Sequence, residues 1–536
     1  MIDHHAGRMP MMTWNRRRML KTALAGGGLL LSGLPAGAQQ ATALMRAPRR
    51  ALVIGNSRYP RAPLANPGND ARGMAEVLRG IGFEVTAGLD LSRGAMHEAV
   101  RAYIEGVRRA GAVGLFYFAG HGMQLAWRNY LLPVDAEIDS VEELRQRAFD
   151  ISSLIDGIRG AGNPMNMIIL DACRDNPLGG AARVDQKGLS QMDAPPGTFL
   201  AYATAPGNTA IDGDGGQHGL YTEHLLREIR VPEAKVEDVF KRVRLGVRRQ
   251  SNGQQIPWES TSLESDFWFL PPRELRKRAD DEVEREFREE LALWERIRAA
   301  TVPEPFEDYL RRYPGGRFSE LAQLQLDRAL AMMGEKKIEI VSAPQNPYAK
   351  GAVSASIGYK VGDFYQYRQA DLLTRLEIDS GTRRITAITA NEVIYNKGVI
   401  VTDLLGNLLR VPSGATWSPN QTAPLEFAVG RRWNTRFRVV PPKGGDSTVD
   451  LDMRIADRER VTVPAGTFNA FRVEARGWQT GMVDGRGHFN VSWDWKTWYA
   501  PGEVRLPVAF EWFVRHSFGK IMRATRNEMV SFHQQP

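Results

Sequence analysis

The feature that most constrains this chain is a change of hydrophobic period. From Arg49 to about Leu270, short apolar runs alternate with helix-period segments: ALVIG (Ala51 to Gly55), FEVTAG, AVGLFYFA, NMIILDA and GTFLAYATA are separated by stretches such as NDARGMAEVLRGIG and AMHEAVRAYIEGVRRAG. That alternation predicts an α/β domain with a mainly parallel sheet flanked by helices. In open sheets of this kind ligands bind beyond the carboxyl ends of the strands. His121 follows AVGLFYFAG and Cys173 follows NMIILDA, so both are expected just past the ends of buried strands, on one edge.

After Pro271-Pro272 the sequence becomes a highly charged helix with a narrow stripe, Leu275, Ala279, Val283, Phe287 and Leu291. A stripe without a sustained heptad predicts a solvated helix docking one face rather than a long coiled coil. With the following PFEDYLRRYPGGRFSELAQLQLDRALAMMG it makes a helical spacer over residues 273–336. Beyond the linker SAPQNPYAKG the period switches to two. Val449, Leu451, Met453 and Ile455 alternate with polar residues, as do Phe489, Val491, Trp493 and Trp495, which predicts an all-β sandwich or partial barrel over residues 352–535. Its tryptophans are expected in the core first, a ligand groove being the alternative. At 536 residues and 43% hydrophobic content, the chain is long enough for several such units.

Residues 1–38 read as a processing segment: NRRRMLK, a weakly apolar stretch from Ala23 to Leu34, then Ala36-Gly37-Ala38. The apolar part is too short to span a bilayer, so no stable membrane insertion is expected. Arg16-Arg17-Arg18-Met19-Leu20-Lys21 resembles a twin-arginine export signal, and a periplasmic or secreted protein follows from that resemblance. The same segment holds +4 of the net charge of +8, and the remainder shows no basic block, so nucleic acid is not the expected partner.

Export sharpens the question of the one cysteine in the chain. An oxidising compartment favours paired thiols. A solitary Cys173 is either an inert buried thiol or a nucleophile. Thiol catalysis needs an imidazole nearby and donors for the developing oxyanion. His121, between Gly120 and Gly122, suits that task, with a packed structural histidine as the alternative.

Taken together, GLFYFAGHGMQ, NYLLPVDA, NMIILDACRDNP and TFLAYATAPG resemble the caspase-type cysteine peptidases, most closely their bacterial metacaspase-like branch, over about Arg49 to Leu270. The resemblance implies Cys173 as nucleophile, His121 as its dyad partner, and the amides of Gly122 and Cys173 as the oxyanion hole. In this family an arginine-lined pocket accompanies cleavage after Asp, and an acidic one cleavage after Arg or Lys. Here Asp171 stands two residues before Cys173, Asp70 opens the first helix, and Asp212 falls where caspases carry a pocket arginine. The implied partners are protein or peptide substrates with Arg or Lys at P1, held by charge-assisted bidentate bonds. The structural alternatives are a helix N-terminal carboxylate for Asp70 and a turn residue for Asp212.

The acidic residues Asp135, Asp150 and Asp212 to Asp214 are too scattered for a calcium loop, so no metal or other cofactor is expected. The segment after the nucleophile is short, so obligatory self-cleavage at Arg183 or Lys187 is not expected. The competing function is a binding scaffold with a vestigial protease domain and a ligand-binding β-domain of unknown partner.

Overall fold

A computed structural model of the chain describes residues 36–173, 188–206, 208, 217–273, 280–338, 346–442, 445–483, 487–517 and 519–536. A first helix, α1 (Ala36–Arg46), leads into an eight-stranded sheet. Its strands are β1 (Arg49–Gly55), β2 (Glu84–Leu89), β3 (Val113–Leu125), β4 (Arg128–Leu131), β5 (Phe149–Asp150), β6 (Asn166–Cys173), β7 (Thr198–Tyr202) and β8 (Trp258–Thr261). The spatial order is β2-β1-β3-β6-β7-β8, parallel up to β7, with β8 antiparallel at the edge and β4 and β5 as a side extension of β3.

The apolar runs of β1, β3 and β6 are buried throughout because helices cover both faces. Val53, Tyr117 and Ile169 pack toward α2 (Pro67–Gly80), α6 (Leu220–Glu228) and α7 (Val236–Gln250). Leu52, Phe118 and Ile168 pack toward α3 (Arg93–Ala110) and α5 (Ile151–Ala161), while α4 (Val141–Arg147) gives Leu144 to a smaller cluster with Tyr59, Met123 and Tyr130. Alternate residues of one strand therefore serve opposite layers, and Asp171, two residues beyond Ile169, belongs to the α2/α6 side.

Three helices follow: α8 (Asp280–Ile297), α9 (Glu304–Arg312) and α10 (Ser319–Met332). The charged α8 docks one face. Phe287 and Trp294 enter a core shared with α9, α10 and the last domain, while Glu284 pairs with Arg436 and Arg438 at 3.0 and 2.7 Å. Leu275 and Ala279 lie outside the described residues. Buried Arg248 of α7 joins this unit to the α/β domain through Asp327 and Glu335.

The last domain is a closed twelve-stranded antiparallel barrel spanning Phe364 to His533. Closure comes from pairing of its first strand, Phe364–Asp371, with its last, Ile521–His533. Val449, Leu451, Met453 and Ile455 point inward, and Asp450, Asp452 and Arg454 outward, as the period of two requires. The linker returns to the sheet on its way in: Asn346 Nδ2 donates to Gln191 O at 2.7 Å, and Lys350 N to Asp193 at 2.8 Å.

Candidate active site

The edge that carries His121 and Cys173 is built where β3 leaves the parallel sheet. Its pairing with β1 ends at Ala119, and its pairing with β6 ends at the rung His121 to Cys173. From Gly122 onward β3 pairs with β4 instead, Gly122 standing opposite Leu131. His121 thus lies inside a long strand, where one ladder is exchanged for another, and not beyond a strand end as the sequence suggested. Gly120 makes the exchange possible. Its φ is +152°, and a Cβ there would stand 2.6 Å from Tyr59 Oη and 3.2 Å from Asn56 O. Register partners on adjacent strands are about 4.8 Å apart, so the two backbones are held at one rung's spacing.

The imidazole of His121 is 1% exposed and anchored from the loop after β1. Its Nε2 lies 2.7 Å from the carbonyl oxygen of Ala62. A carbonyl only accepts, so Nε2 carries the hydrogen, and Nδ1 is the nitrogen that gains or loses a proton when the ring changes charge. Tyr59 fixes the same residue twice: its ring centroid is 4.4 Å from that of His121, and its Oη accepts the His121 N–H at 3.0 Å. That hydroxyl in turn donates to Leu132 O at 3.0 Å. Neither Tyr59 nor Ala62 was identified from sequence. The available signal was topological, since the loop after β1 must share an edge with those after β3 and β6.

A second group forms where the N-terminal ends of α2 and α6 meet the end of β6. Asp70, 2% exposed in the first turn of α2, reaches out of its own helix, and its Oδ1 accepts from Gly219 N at 3.1 Å and lies 2.9 Å from His218 Nδ1. Asp171, 7% exposed, accepts a 2.6 Å bond from Thr222 Oγ1, whose hydroxyl is also 2.6 Å from Tyr117 Oη. The two carboxylates converge. A methyl group placed on Gly219 would stand 3.3 Å from Asp70 Oδ2 and 3.9 Å from Asp171 Oδ2. The buried Tyr117 phenol registers both: burial first, then Asp171, then Asp70 push its pKa well above the ordinary value. Burial lowers the His218 imidazole, with Glu223 opposing.

Asp212, Arg183 and Lys187 lie outside the described residues. Asp135 accepts Arg93 N at 2.8 Å, and Asp150 caps α5 through Ser152 N at 2.8 Å while pairing with Arg128, so both serve local structure.

Residues 48–268 match the family model for the caspase domain. This part of the chain is a caspase-like α/β domain. The mucosa-associated lymphoid tissue lymphoma translocation protein 1 of Homo sapiens and its homolog of Mus musculus are each 27% identical over 179 residues, covering 33% of this chain. The chain spans about a fifth of the length of these curated relatives, the aligned part being 21% of each. The caspase-like fold expected from the H-G and D-x-C motifs is present over the matched residues. Within that fold the last rung between β3 and β6 sets His121 beside Cys173, and α2 and α6 bring Asp70 beside Asp171.

Proposed function

We propose that the caspase domain is a cysteine endopeptidase that cleaves after Arg or Lys. The Cys173 thiolate attacks the scissile carbonyl carbon, and the amides of Gly122 and Cys173 take the oxyanion. His121, its Nε2–H held by Ala62, passes a proton from Nδ1 to the departing amine. Water then attacks the acyl-enzyme carbon, giving its proton to Nδ1 as the thiolate leaves. The reaction uses no metal or cofactor.

The observation that carries the specificity is the convergence of Asp70 and Asp171 at Gly219. A guanidinium between two buried carboxylates gains charge-assisted hydrogen bonds, whereas a P1 aspartate meets like charge. Asp212, which lies outside the described residues, is carried over from the family resemblance alone as a further acid for the P1 side chain. A fluorogenic peptide panel differing only at P1 tests this reading. Arg and Lys are expected to be turned over and Asp ignored; hydrolysis after Asp would overturn it.

The N-terminal arginines are assigned to export. Replacing Arg16 and Arg17 with lysine is expected to retain the precursor in the cytoplasm, and undiminished periplasmic delivery would point to the general secretory route.

A further inference from the structure

A barrel of twelve strands is too wide for its inward side chains to fill, because diameter grows with strand number. The lumen accordingly holds a cavity of about 910 Å³, at the upper end of the range for small-molecule sites. Its wall is mostly apolar, with Val439, Met453, Val473 and Ala475 among the lining residues. The outward positions carry Arg436, Asp450, Asp452 and Arg454, the reverse of a barrel that faces lipid.

Three indole donors of this wall lie side by side. Trp493 and Trp495 are 4% and 6% exposed, and with Trp512 they form a contiguous ring cluster, 5.0 Å from Trp493 to Trp512 and 5.6 Å from Trp493 to Trp495. All three line the cavity, and all three indole N–H groups are buried with no acceptor among the described residues. Leaving a buried donor unmatched is costly. Tryptophan is ordinarily placed where its N–H finds a partner. The guanidinium of Arg523 stands 4.3 Å over the Trp512 ring and also lines the cavity; no carboxylate pairs with it among the described residues. Arg383 and Asp379 line another part of the wall. Met522, 60% exposed and lining the cavity, marks where it reaches solvent.

We propose that the barrel lumen binds a single-chain amphiphile with an anionic, acceptor-bearing head group, the head meeting the indoles of Trp493, Trp495 and Trp512 beside Arg523 and the chain filling the apolar wall. Aliphatic wall area supplies most of the affinity, while the N–H donors and the guanidinium select the head. This site is separate from the caspase domain and does not depend on its activity.

The test is isothermal titration calorimetry of the full chain with dodecanoate and, separately, with dodecanol. Saturable binding of one dodecanoate per chain is expected, with dodecanol at least about tenfold weaker. Trp493→Phe and Trp495→Phe keep the ring and remove only the N–H; each is expected to weaken dodecanoate about tenfold, as is Arg523→Gln. Unchanged thermal midpoints in these variants show that the barrel is intact, and exposed Arg523 gives a readout even where a tryptophan variant unfolds. No saturable binding below about 1 mM, equal binding of the alcohol, or affinity indifferent to Arg523→Gln and to both folded tryptophan variants would each overturn the proposal.

Discussion

His121 and Cys173 occupy the last rung of the ladder between two parallel strands at the centre of the caspase domain. Dyad members act as a unit, so Cys173→Ala and His121→Ala are each expected to lower peptidase activity by several orders of magnitude, and the double variant by little more. Thermal midpoints measured alongside are expected to stay close to wild type for Cys173→Ala. Near-normal turnover by either variant would remove the mechanism.

Tyr59 is a positioning residue, acting on His121 through its hydroxyl and its ring. Tyr59→Phe retains the ring contact and deletes the bond to the His121 amide. Its kcat is expected to fall by about tenfold with KM little changed, because the His121 backbone loses an anchor while the P1 site is untouched. A fall in stability with kcat unaltered would assign Tyr59 a purely structural part.

The proposed acidic pocket makes a graded prediction. Asp171→Asn and Asp70→Asn are each expected to lower kcat/KM on Arg substrates by about two to four orders of magnitude, as when one partner of a buried ion pair is removed. Asp212→Asn is expected to have a smaller effect. Gly219 adopts φ −62° and ψ 148°, which alanine tolerates, so Gly219→Ala is expected to fold normally. Its methyl would fill the space between the carboxylates and depress Arg and Lys turnover together. Indifference to Asp70→Asn, Asp171→Asn and Gly219→Ala would place the P1 pocket elsewhere.

The α/β alternation, the strand-borne histidine and cysteine and the acidic residues were legible because each leaves a local mark: an apolar run, a turn, a charge where none is cheap. The anchor on His121 left none. Ala62 acts through its carbonyl, which every residue possesses, and only the loop's path brings it within 2.7 Å of Nε2. Glu290 was hidden for a different reason. A carboxylate in a charged helix reads as solvated, yet it is 2% exposed and accepts from Tyr309 Oη at 2.7 Å and Arg317 Nη1 at 2.8 Å. Barrel closure depends on contacts such as Arg368 with Glu528, remote in sequence, so a period of two predicted strands without fixing the shape they close into.

One buried acid of the barrel makes its stability pH-dependent. Burial pushes the Asp403 carboxyl from 3.8 up to about 7, against hydrogen bonds from Asn407, Leu405 and Gly406. The folded chain therefore holds this proton more tightly than the unfolded one. Its stabilising contribution is present in full below about pH 4 and is lost as pH rises through about 7, on the order of a few kcal/mol in all. Denaturant midpoints from pH 4 to 8 are expected to fall less in Asp403→Asn than in wild type; parallel curves would show that Asp403 is ionised in the fold.

The central claim is that Cys173 is a nucleophile serving a pocket for basic side chains. Intact-protein mass spectrometry after exposure to peptidyl chloromethyl ketones differing only at P1 measures both parts at once. Arg and Lys probes are expected to add once, on Cys173, with labelling abolished in Cys173→Ala and strongly slowed in His121→Ala and Asp171→Asn. Labelling by the Asp probe in preference to Arg, or no adduct on Cys173 with any probe, would contradict the account.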